Sequence, residues 1–455
     1  MPIRTRFAPS PTGYLHIGGA RTALFNYLIA KRQGGQFILR IEDTDEDRNN
    51  EAALAAIYES LRWLDITADE SPEVGGPYAP YRQSERVESH RTHAATLLER
   101  GTAYRCTCSV ERLTALRAEQ EAKKANTRYD GHCRDLNLSH DCGPHVIRLR
   151  VPTGQDVVVD DLIKGPVRYA SDEIDDLILF RSDGVPTYNF VVVCDDIAMK
   201  ITHVLRGDEH LNNTPKQLLI YAALGATAPA FGHMPLIFDD QGRKMSKRHG
   251  DVAVGDYTAK GILPEALVNY LARLGWAHGN MELFTRDELI SVFDIEGIGK
   301  APGKWDLNKL LSVNQHWMKT LPASRVAAEV RPFLAAKALV PNERLESAVV
   351  ALRERANTLV ALADAMAFLF LADEAVPKDQ AAVAEFLLPN AELIGRAADA
   401  FDEVAEWQEH YLEVAGKAFC ESEGIKLGKL AQPLRVALSG QKVGPGVWQS
   451  LYVLG

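Results

Sequence analysis

Two groups of residues far apart in the chain are suited to holding phosphate. Near the start, Arg6-Phe7-Ala8-Pro9-Ser10-Pro11-Thr12-Gly13 leads through Leu15 into His16-Ile17-Gly18-Gly19. A histidine there can donate from its ring to a phosphoryl oxygen and support charge developing on it. Two glycines at a helix start would offer free backbone N–H groups and the positive end of the helix dipole, with no side chains to keep a ligand away. Downstream, Lys244, Met245, Ser246, Lys247 and Arg248 form a cationic turn between Gly242 and Gly250. Such a turn can clamp a departing polyphosphate and release it afterwards. Taken singly, the first is also an ordinary helix-capping loop and the second a solvated basic loop.

Other residues could do further chemistry. Glu42-Asp43-Thr44-Asp45 closes an apolar stretch from Gln36 to Ile41, and acids at the end of a strand lie where open α/β sheets bind ligands. Cys106-Thr107-Cys108 and, after a loop, Cys133 can occupy three corners of a tetrahedral metal site. The alternative is three small buried hydrophobic side chains with no metal. Cys142, Cys194 and Cys420 read as structural.

The elements that must position these groups follow from periodicity. Ile3 to Ala8 can be extended, and Pro9, Pro11 and Gly13 then stop any regular structure. Ala20, Ala23, Leu24, Tyr27 and Leu28 form one helix face, and Leu54, Ile57, Tyr58 and Leu61 another. A Gly/Pro loop follows at Gly75-Gly76-Pro77, so residues 1–103 read as βαβα, the first half of a nucleotide-binding layer fold. Residues 104–184 change to short strands, Val146 to Val151, Val157 to Val159 and Leu177 to Arg181, and read as an insertion. The first domain resumes over 185–235. There Thr187 to Asp196 is expected as a strand running into acids, and Thr214 to Leu224 as a helix buried through Leu218, Leu219 and Ala222. Residues 236–321 carry the cationic turn. From 322 to 455 the chain reads as helix after helix, including Leu345 to Ala372 and Ala398 to Phe419, which predicts an all-α bundle.

With 455 residues, 46% hydrophobic and 25% charged, the chain has the composition of a multidomain globular protein. Its net charge of −10 argues against an indiscriminate polyanion binder but leaves room for local basic patches. No apolar segment follows a basic start, and the apolar stretch from Leu359 to Ala372 is broken by Asp364, so neither signal peptide nor membrane span is expected. Six cysteines, three of them clustered, suggest a reducing compartment, the cytoplasm. The chain ends at Tyr452-Val453-Leu454-Gly455, a few residues before its last helix is expected to close.

Arg6-Phe-Ala-Pro-Ser-Pro-Thr-Gly13, His16-Ile-Gly-Gly19, Arg40-Ile-Glu-Asp-Thr-Asp45, Arg206-Gly-Asp-Glu-His210 and Lys244-Met-Ser-Lys-Arg248, in that order, resemble the bacterial-type glutamyl-tRNA synthetases of class I. The likeness extends to Lys426-Leu-Gly-Lys-Leu-Ala-Gln-Pro-Leu-Arg435. It implies an α/β fold, with a Rossmann-type parallel-sheet catalytic domain, an inserted acceptor-stem-binding domain, a stem-contact region and a helical anticodon-binding domain. The implied reaction joins L-glutamate and ATP to glutamyl-adenylate and pyrophosphate, then passes the glutamyl group to the terminal ribose of tRNA-Glu. A substrate carboxylate is already a nucleophile, so no general base is needed in the first step.

The same resemblance distributes roles. His16, Lys244 and Lys247 would act on the phosphates with Mg²⁺, and Gly18, Gly19, Glu209, Met245, Ser246 and Arg248 would complete the ATP site. Arg6 would pair with the side-chain carboxylate of glutamate, Glu42 with its ammonium and Arg206 with its α-carboxylate, with Ala8, Ser10 and Tyr188 as walls. Cys106, Cys108 and Cys133 would hold zinc with Tyr129 or the residue at 135 as fourth ligand; Asp135 stands where the family often has histidine. Arg355 aligns with the arginine that reads the last anticodon base in enzymes that discriminate tRNA-Glu from tRNA-Gln. A monomer is implied. Glutaminyl-tRNA synthetases tend to have histidine at the second glycine and a β-barrel tail, so Ser10, Gly19 and the helical tail separate this chain from them. The helical half also sets it apart from the short tRNA-modifying paralogue and from small-metabolite adenylyltransferases, and the intact phosphate motifs set it apart from a non-enzymatic RNA-binding descendant.

Overall fold

The computed structural model describes residues 2–44, 50–245 and 252–455. Asp45, Ser246, Lys247 and Arg248 therefore lie outside the described residues. The chain divides into two compact units, unit 1 comprising Met1–Gly255 and Val268–Trp305, and unit 2 comprising Asp256–Leu267 and Asp306–Gly455.

Unit 1 begins with strand β1 (Arg4–Phe7), helix α1 (Ile17–Arg32) and strand β2 (Gln36–Leu39), with β1 and β2 parallel in the register Arg4 to Gln36 through Phe7 to Leu39. The expected apolar face of α1 is buried in full, and Lys31 and Arg32 in its last turn suit the negative end of the dipole. Gly35 lets the chain reverse tightly, since a Cβ there would sit 2.1 Å from the carbonyl oxygen of Ile3. Next come α2 (Glu51–Trp63), α3 (Val87–Glu99), β3 (Ala103–Cys106), α4 (Val110–Ala122), β4 (Val146–Leu149), β5 (Asp156–Asp161), β6 (Gly165–Ala170) and β7 (Ile178–Phe180). They are followed by α5 (Tyr188–Ala198), β8 (His203–Gly207), α6 (Thr214–Leu224), β9 (Ala230–Met234) and β10 (Ile237–Phe238).

Strands β3, β4 and β7 make an antiparallel sheet. The larger sheet has the order β6-β5-β9-β8, with β5, β9 and β8 parallel and β6 antiparallel. Beside β8 lies β1, joined through Thr202, whose N–H donates to the Arg4 carbonyl at 3.0 Å. Asn26 on α1 adds a tie to β8, its side-chain amide donating to the Leu205 carbonyl at 2.9 Å.

The expected strand from Thr187 to Asp196 is instead helix α5. A run such as Phe190-Val-Val-Val-Cys194 cannot be told from a buried helix by periodicity. Burial on every side decides it: Phe190 to Asp196 are all buried, and packing against α3 and α6 overrides the strand preference of three valines. Helix α6 also turns differently from expectation. It buries Gln217, Leu219, Ile220 and Tyr221 while Ala222 is exposed, because Gln217 is drawn inward by hydrogen bonds to polar side chains.

After α7 (Val254–Ala259), α8 (Pro264–Arg273), α9 (Arg286–Val292) and the short β11 (Gly303–Lys304), unit 2 continues as α10 (Leu307–Thr320), α11 (Ala323–Ala335), α12 (Leu345–Leu352) and α13 (Leu359–Met366). It ends with the single turn α14 (Gln380–Ala382), α15 (Ala391–Asp402), α16 (Glu409–Ser422), α17 (Leu427–Ser439) and α18 (Val447–Leu454). The expected continuous helix from Ala398 to Phe419 is broken at 403–408, between α15 and α16, which lets the two fold against each other over Phe401 and Leu412. The expected helix from Leu345 to Ala372 is likewise interrupted by the 3₁₀ turn Arg353–Arg355 and the segment before Thr358, whose hydroxyl caps α13. Asn314 orders that interruption, accepting from Leu263 N and donating to the Asn357 carbonyl at 2.8 and 2.7 Å.

Candidate active site

A cleft of about 680 Å³ opens in unit 1 at the C-terminal ends of β1 and β8, the place where parallel α/β sheets bind ligands. Its lining includes Arg6, Ala8, Ser10, His16, Gly18, Gly19, Glu42, Tyr188, Arg206, Glu209, Lys244 and Met245. The phosphate loop, the acidic strand end and the approach to the cationic turn thus meet in one place, though about 200 residues of sequence separate the first two from the third.

His16 is the N-cap of α1. It has an extended backbone, and its Nδ1 accepts from Gly18 N at 3.0 Å. A neutral ring accepting at Nδ1 carries its proton on Nε2, which suits donation to phosphate. The helix start is less open than the sequence suggests. Ile17 N donates to the Val252 carbonyl at 2.8 Å and Gly18 N is taken by His16, so two of the first backbone donors are already engaged. Val254 N donates back to the Leu15 carbonyl at 3.0 Å, so the chain emerging after the cationic turn is hydrogen-bonded to the phosphate loop. At Gly19 a Cβ would lie 3.1 Å from Leu15 Cδ1, which fits a site packed for glycine.

The other end of the cleft is built from charge. Arg6 and Arg40 both point to Asp196 in the last part of α5, with contacts of 3.3 Å from Arg6 Nε and 2.6 Å from Arg40 Nη1 to Oδ1. Arg40 is wholly buried and also reaches Glu42 Oε1 at 3.3 Å. Burial alone would lower Arg40, but Asp196 and Glu42 outweigh it and raise it, so it stays charged. Burial pushes Glu42 above the ordinary carboxyl range, with Arg40 and Arg6 opposing. Asp195, next to Asp196, faces elsewhere: it accepts from Gln83 Nε2 at 2.8 Å and Arg86 Nε at 2.7 Å, and meets His90 Nε2 at 2.9 Å. Arg206 is buried on β8 without a carboxylate partner among the described residues. Its Nη2 donates to Thr214 Oγ1 and Gln217 Oε1, both at 2.8 Å, while its buried Nη1 has no hydrogen-bond partner. Burial pulls Arg206 down to about 10. Tyr188, in the first turn of α5, meets His210 Nδ1 through its hydroxyl at 3.2 Å; burial and then Arg206 hold His210 down to about 4, so its ring is neutral near pH 7.

Several of these groups carry no mark in the sequence. Asp196 reads in the sequence only as an acid at the end of an expected strand, and its partners Arg6 and Arg40 are distant in the chain. Arg21, on α1 and lining the cleft, is fixed by the carbonyls of Leu274 and Pro235. His210 was visible only as part of Arg206-Gly-Asp-Glu-His210. In unit 2, Arg355 is exposed on its 3₁₀ turn and anchored by one donor to the Gly444 carbonyl at 2.9 Å.

The cysteine cluster lies within unit 1, between β3 and the 129–135 loop. The Sγ atoms of Cys106, Cys108 and Cys133 lie within 4.8 Å of one another, with 3.6 Å between those of Cys108 and Cys133. Tyr129 Oη is 3.4 Å from Cys106 Sγ and 3.7 Å from Cys108 Sγ. A tetrahedral zinc ion with three thiolates and an oxygen requires sulfur–sulfur edges of about 3.8 Å and sulfur–oxygen edges of about 3.5 Å, which the Cys108–Cys133 and Tyr129–sulfur separations approach, so these residues could hold such an ion. Asp135 does not join it. Its carboxylate is exposed and pairs with Arg150 Nη1 at 2.7 Å, a cation that holds it at the surface.

Comparison with known proteins covers nearly the whole chain. Residues 2–312 match the family described as tRNA synthetases class I (E and Q), catalytic domain, and residues 325–455 match the anticodon binding domain. The chain is 45% identical to a glutamate–tRNA ligase 2 of Halorhodospira halophila over 100% of this chain and 95% of that protein. It is 44% identical to a glutamate–tRNA ligase of Geobacter sulfurreducens, covering 100% and 96%. Among solved structures it resembles a glutamate tRNA ligase from Elizabethkingia meningosepticum in complex with its amino acid, with a TM-score of 0.88 and 34% identity over 100% of this chain and 97% of that one.

Proposed function

This chain belongs to the class I tRNA synthetases of the E and Q family, and we propose from that premise that it is a glutamate–tRNA ligase. The observation that carries the reading is the charge of the amino-acid end of the cleft. Arg6, Arg40 and Arg206 supply three guanidinium groups against the carboxylates of Asp196 and Glu42. That leaves one positive charge uncompensated, the complement of free glutamate, which carries two carboxylates and one ammonium. Glutamine, with no net charge, would leave it standing in a desolvated pocket.

In the first step a carboxylate oxygen of glutamate attacks the α-phosphorus of ATP and the bond to the β-phosphate breaks, releasing pyrophosphate. Arg6 and Arg206 each hold one carboxylate, Arg6 the side-chain one, and Glu42 receives the ammonium; Ala8, Ser10 and Tyr188 shape the walls. His16 donates to the phosphates at the start of α1, with Gly18 and Gly19 allowing close approach and Glu209 beside the nucleotide. Lys244, Met245, Ser246, Lys247 and Arg248 form the clamp on the departing pyrophosphate, and Mg²⁺ arrives with the phosphates. In the second step a hydroxyl of the terminal ribose of tRNA-Glu attacks the glutamyl carbonyl and AMP leaves. Residues 104–184 receive the acceptor end, 236–321 the stem and 322–455 the anticodon, where Arg355 keeps donors available for a base edge and discriminates tRNA-Glu from tRNA-Gln. Cys106, Cys108, Cys133 and Tyr129 hold a structural zinc ion, which ties the 129–135 loop to β3. The protein acts as a cytoplasmic monomer; no described helix is long and apolar enough to cross a membrane.

The decisive test is ATP–pyrophosphate exchange with glutamate or glutamine, with and without tRNA. Exchange that depends on glutamate and on tRNA is expected. Exchange supported equally by glutamine would overturn the reading of the pocket, and equal charging of tRNA-Glu and tRNA-Gln would overturn the role of Arg355.

A further inference from the structure

Arg206 is a buried guanidinium of the cleft with no carboxylate partner among the described residues, so something else must fix its plane. The parallel register of β8 and β9 places Arg206 opposite His233, and Arg206 Nε lies 3.1 Å from His233 Nε2. On the other side of the ring, His233 Nδ1 lies 2.5 Å from Asp161 Oδ2 at the end of β5. Asp161 is itself held, its Oδ1 accepting from the backbone N–H groups of Ile163 and Lys164 at 2.9 and 2.8 Å. An ionised carboxylate only accepts, so the proton sits on Nδ1 and the lone pair of a neutral ring is left on Nε2, which faces both Arg206 Nε and the Thr214 hydroxyl, the latter at 3.0 Å. Both His233 and Asp161 side chains are fully buried, and neither lines the cleft. Burial keeps His233 below its ordinary value although Asp161 pulls upward, which agrees with the neutral acceptor form.

We propose that Asp161 and His233 are positioning residues for Arg206: Asp161 fixes the tautomer of His233, and His233 Nε2 accepts from Arg206 Nε so that the unpartnered Nη1 is presented to a carboxylate of the amino-acid substrate. The proposal rests on the glutamate-activating reading above. With Nε facing His233 and Nη2 held by Thr214 and Gln217, Nη1 is the guanidinium nitrogen left buried and without a partner. A protonated ring could not accept, and would set one buried cation against another. The acceptor chain also starts in the inserted segment 104–184, so that segment supplies part of the scaffold of the amino-acid pocket as well as the proposed acceptor-end surface.

The test is a pair of near-isosteric variants assayed by tRNA-dependent pyrophosphate exchange. His233→Gln places an amide oxygen near the position of Nε2 and can still accept from Arg206; His233→Asn is too short to do so. Removing a hydrogen bond to a charged group is worth about 10- to 100-fold. His233→Asn is therefore expected to raise the KM for glutamate about tenfold or more with the KM for ATP unchanged, and His233→Gln to recover most of that loss. Equal glutamate KM values in the two variants, or a parallel rise in the KM for ATP, would overturn the proposal. Should His233→Asn fail to fold, His233→Met, which offers no comparable acceptor, gives the same readout against His233→Gln. Absence of glutamate-dependent exchange in the unaltered protein would instead overturn the function on which the proposal stands.

Discussion

Unit 1 and unit 2 treat charge in opposite ways. Among the described residues, every buried charged side chain lies in unit 1, including Arg4, Arg6, Arg40, Arg86, Arg206, Asp161, Asp195 and Asp196. The polar side chains that unit 2 buries, among those described, are Asn314, Ser439 and Ser450, and its ion pairs, such as Arg396 with Glu423 and Lys417 with Glu413, sit at the surface. Replacing buried ion pairs by apolar side chains is often neutral or stabilising, so stability alone does not call for such a network. Unit 1 keeps it because the pairs fix where the remaining donors point. Unit 2 is held by an apolar core over Ala397, Phe401, Leu412, Leu430 and Leu434, which leaves its charges in solvent.

The contrast can be broken by substitutions on each side. The largest effect is expected for Arg206→Ala, which should lower glutamate-dependent pyrophosphate exchange about 10³-fold, the scale of losing a buried charge contact, with little change in melting temperature. A large loss of stability with activity retained per folded molecule would invert the comparison. Next is Asp195→Ala, which strands Arg86 and His90 without their acceptor and should cost about 3–5 kcal/mol of unfolding free energy in urea. Leu412→Ala in unit 2 should cost about 2–4 kcal/mol of unfolding free energy while leaving the KM for glutamate unchanged in exchange assays at saturating tRNA.

Acid should separate the units more gently. His210 folds with its value down at about 4 against an unfolded value near 6.5, so its contribution to stability is present above about pH 6.5 and is lost as the pH falls toward 4. Asp195 is held below the ordinary carboxyl range, since hydrogen bonding to His90 and the charge of Arg40 outweigh burial, and its contribution disappears only at still lower pH. Hydrogen exchange on the full chain, corrected for intrinsic rates, should show opening free energies falling between pH 7 and 5 in unit 1 and holding in unit 2. The smallest effect belongs to Arg396→Ala, an exposed pair whose loss should leave the melting curve unmoved.

The parts of this contrast that the sequence revealed are those coded locally. Pro9, Pro11 and Gly13 mark the loop, the spacing of Ala20 to Leu28 marks α1, and Cys106, Cys108 and Cys133 mark a cluster that the fold brings together. What stayed hidden depends on partners far away. Thr187 to Asp196 looked like a strand because three valines favour one, and only the surrounding core makes it a helix. Asp135 has the chemistry of a ligand, but Arg150, remote in sequence, pairs with it and keeps it from the cysteines. Nothing near His233 in the chain hints at Arg206 or Asp161, since only the register of three strands makes them neighbours.

That register, and the long reach of β1, bear on how the protein comes off the ribosome. The phosphate loop is among the first segments synthesised, yet Arg6 meets Asp196 and Arg4 meets Thr202 only after almost 200 further residues. Arg206 has no acceptor for its Nε until His233 has followed. A nascent chain shorter than about half its final length therefore carries the sequence of a nucleotide site without a formed amino-acid pocket. Truncated products of interrupted synthesis would accordingly be unable to activate glutamate, and would not compete with finished molecules for it.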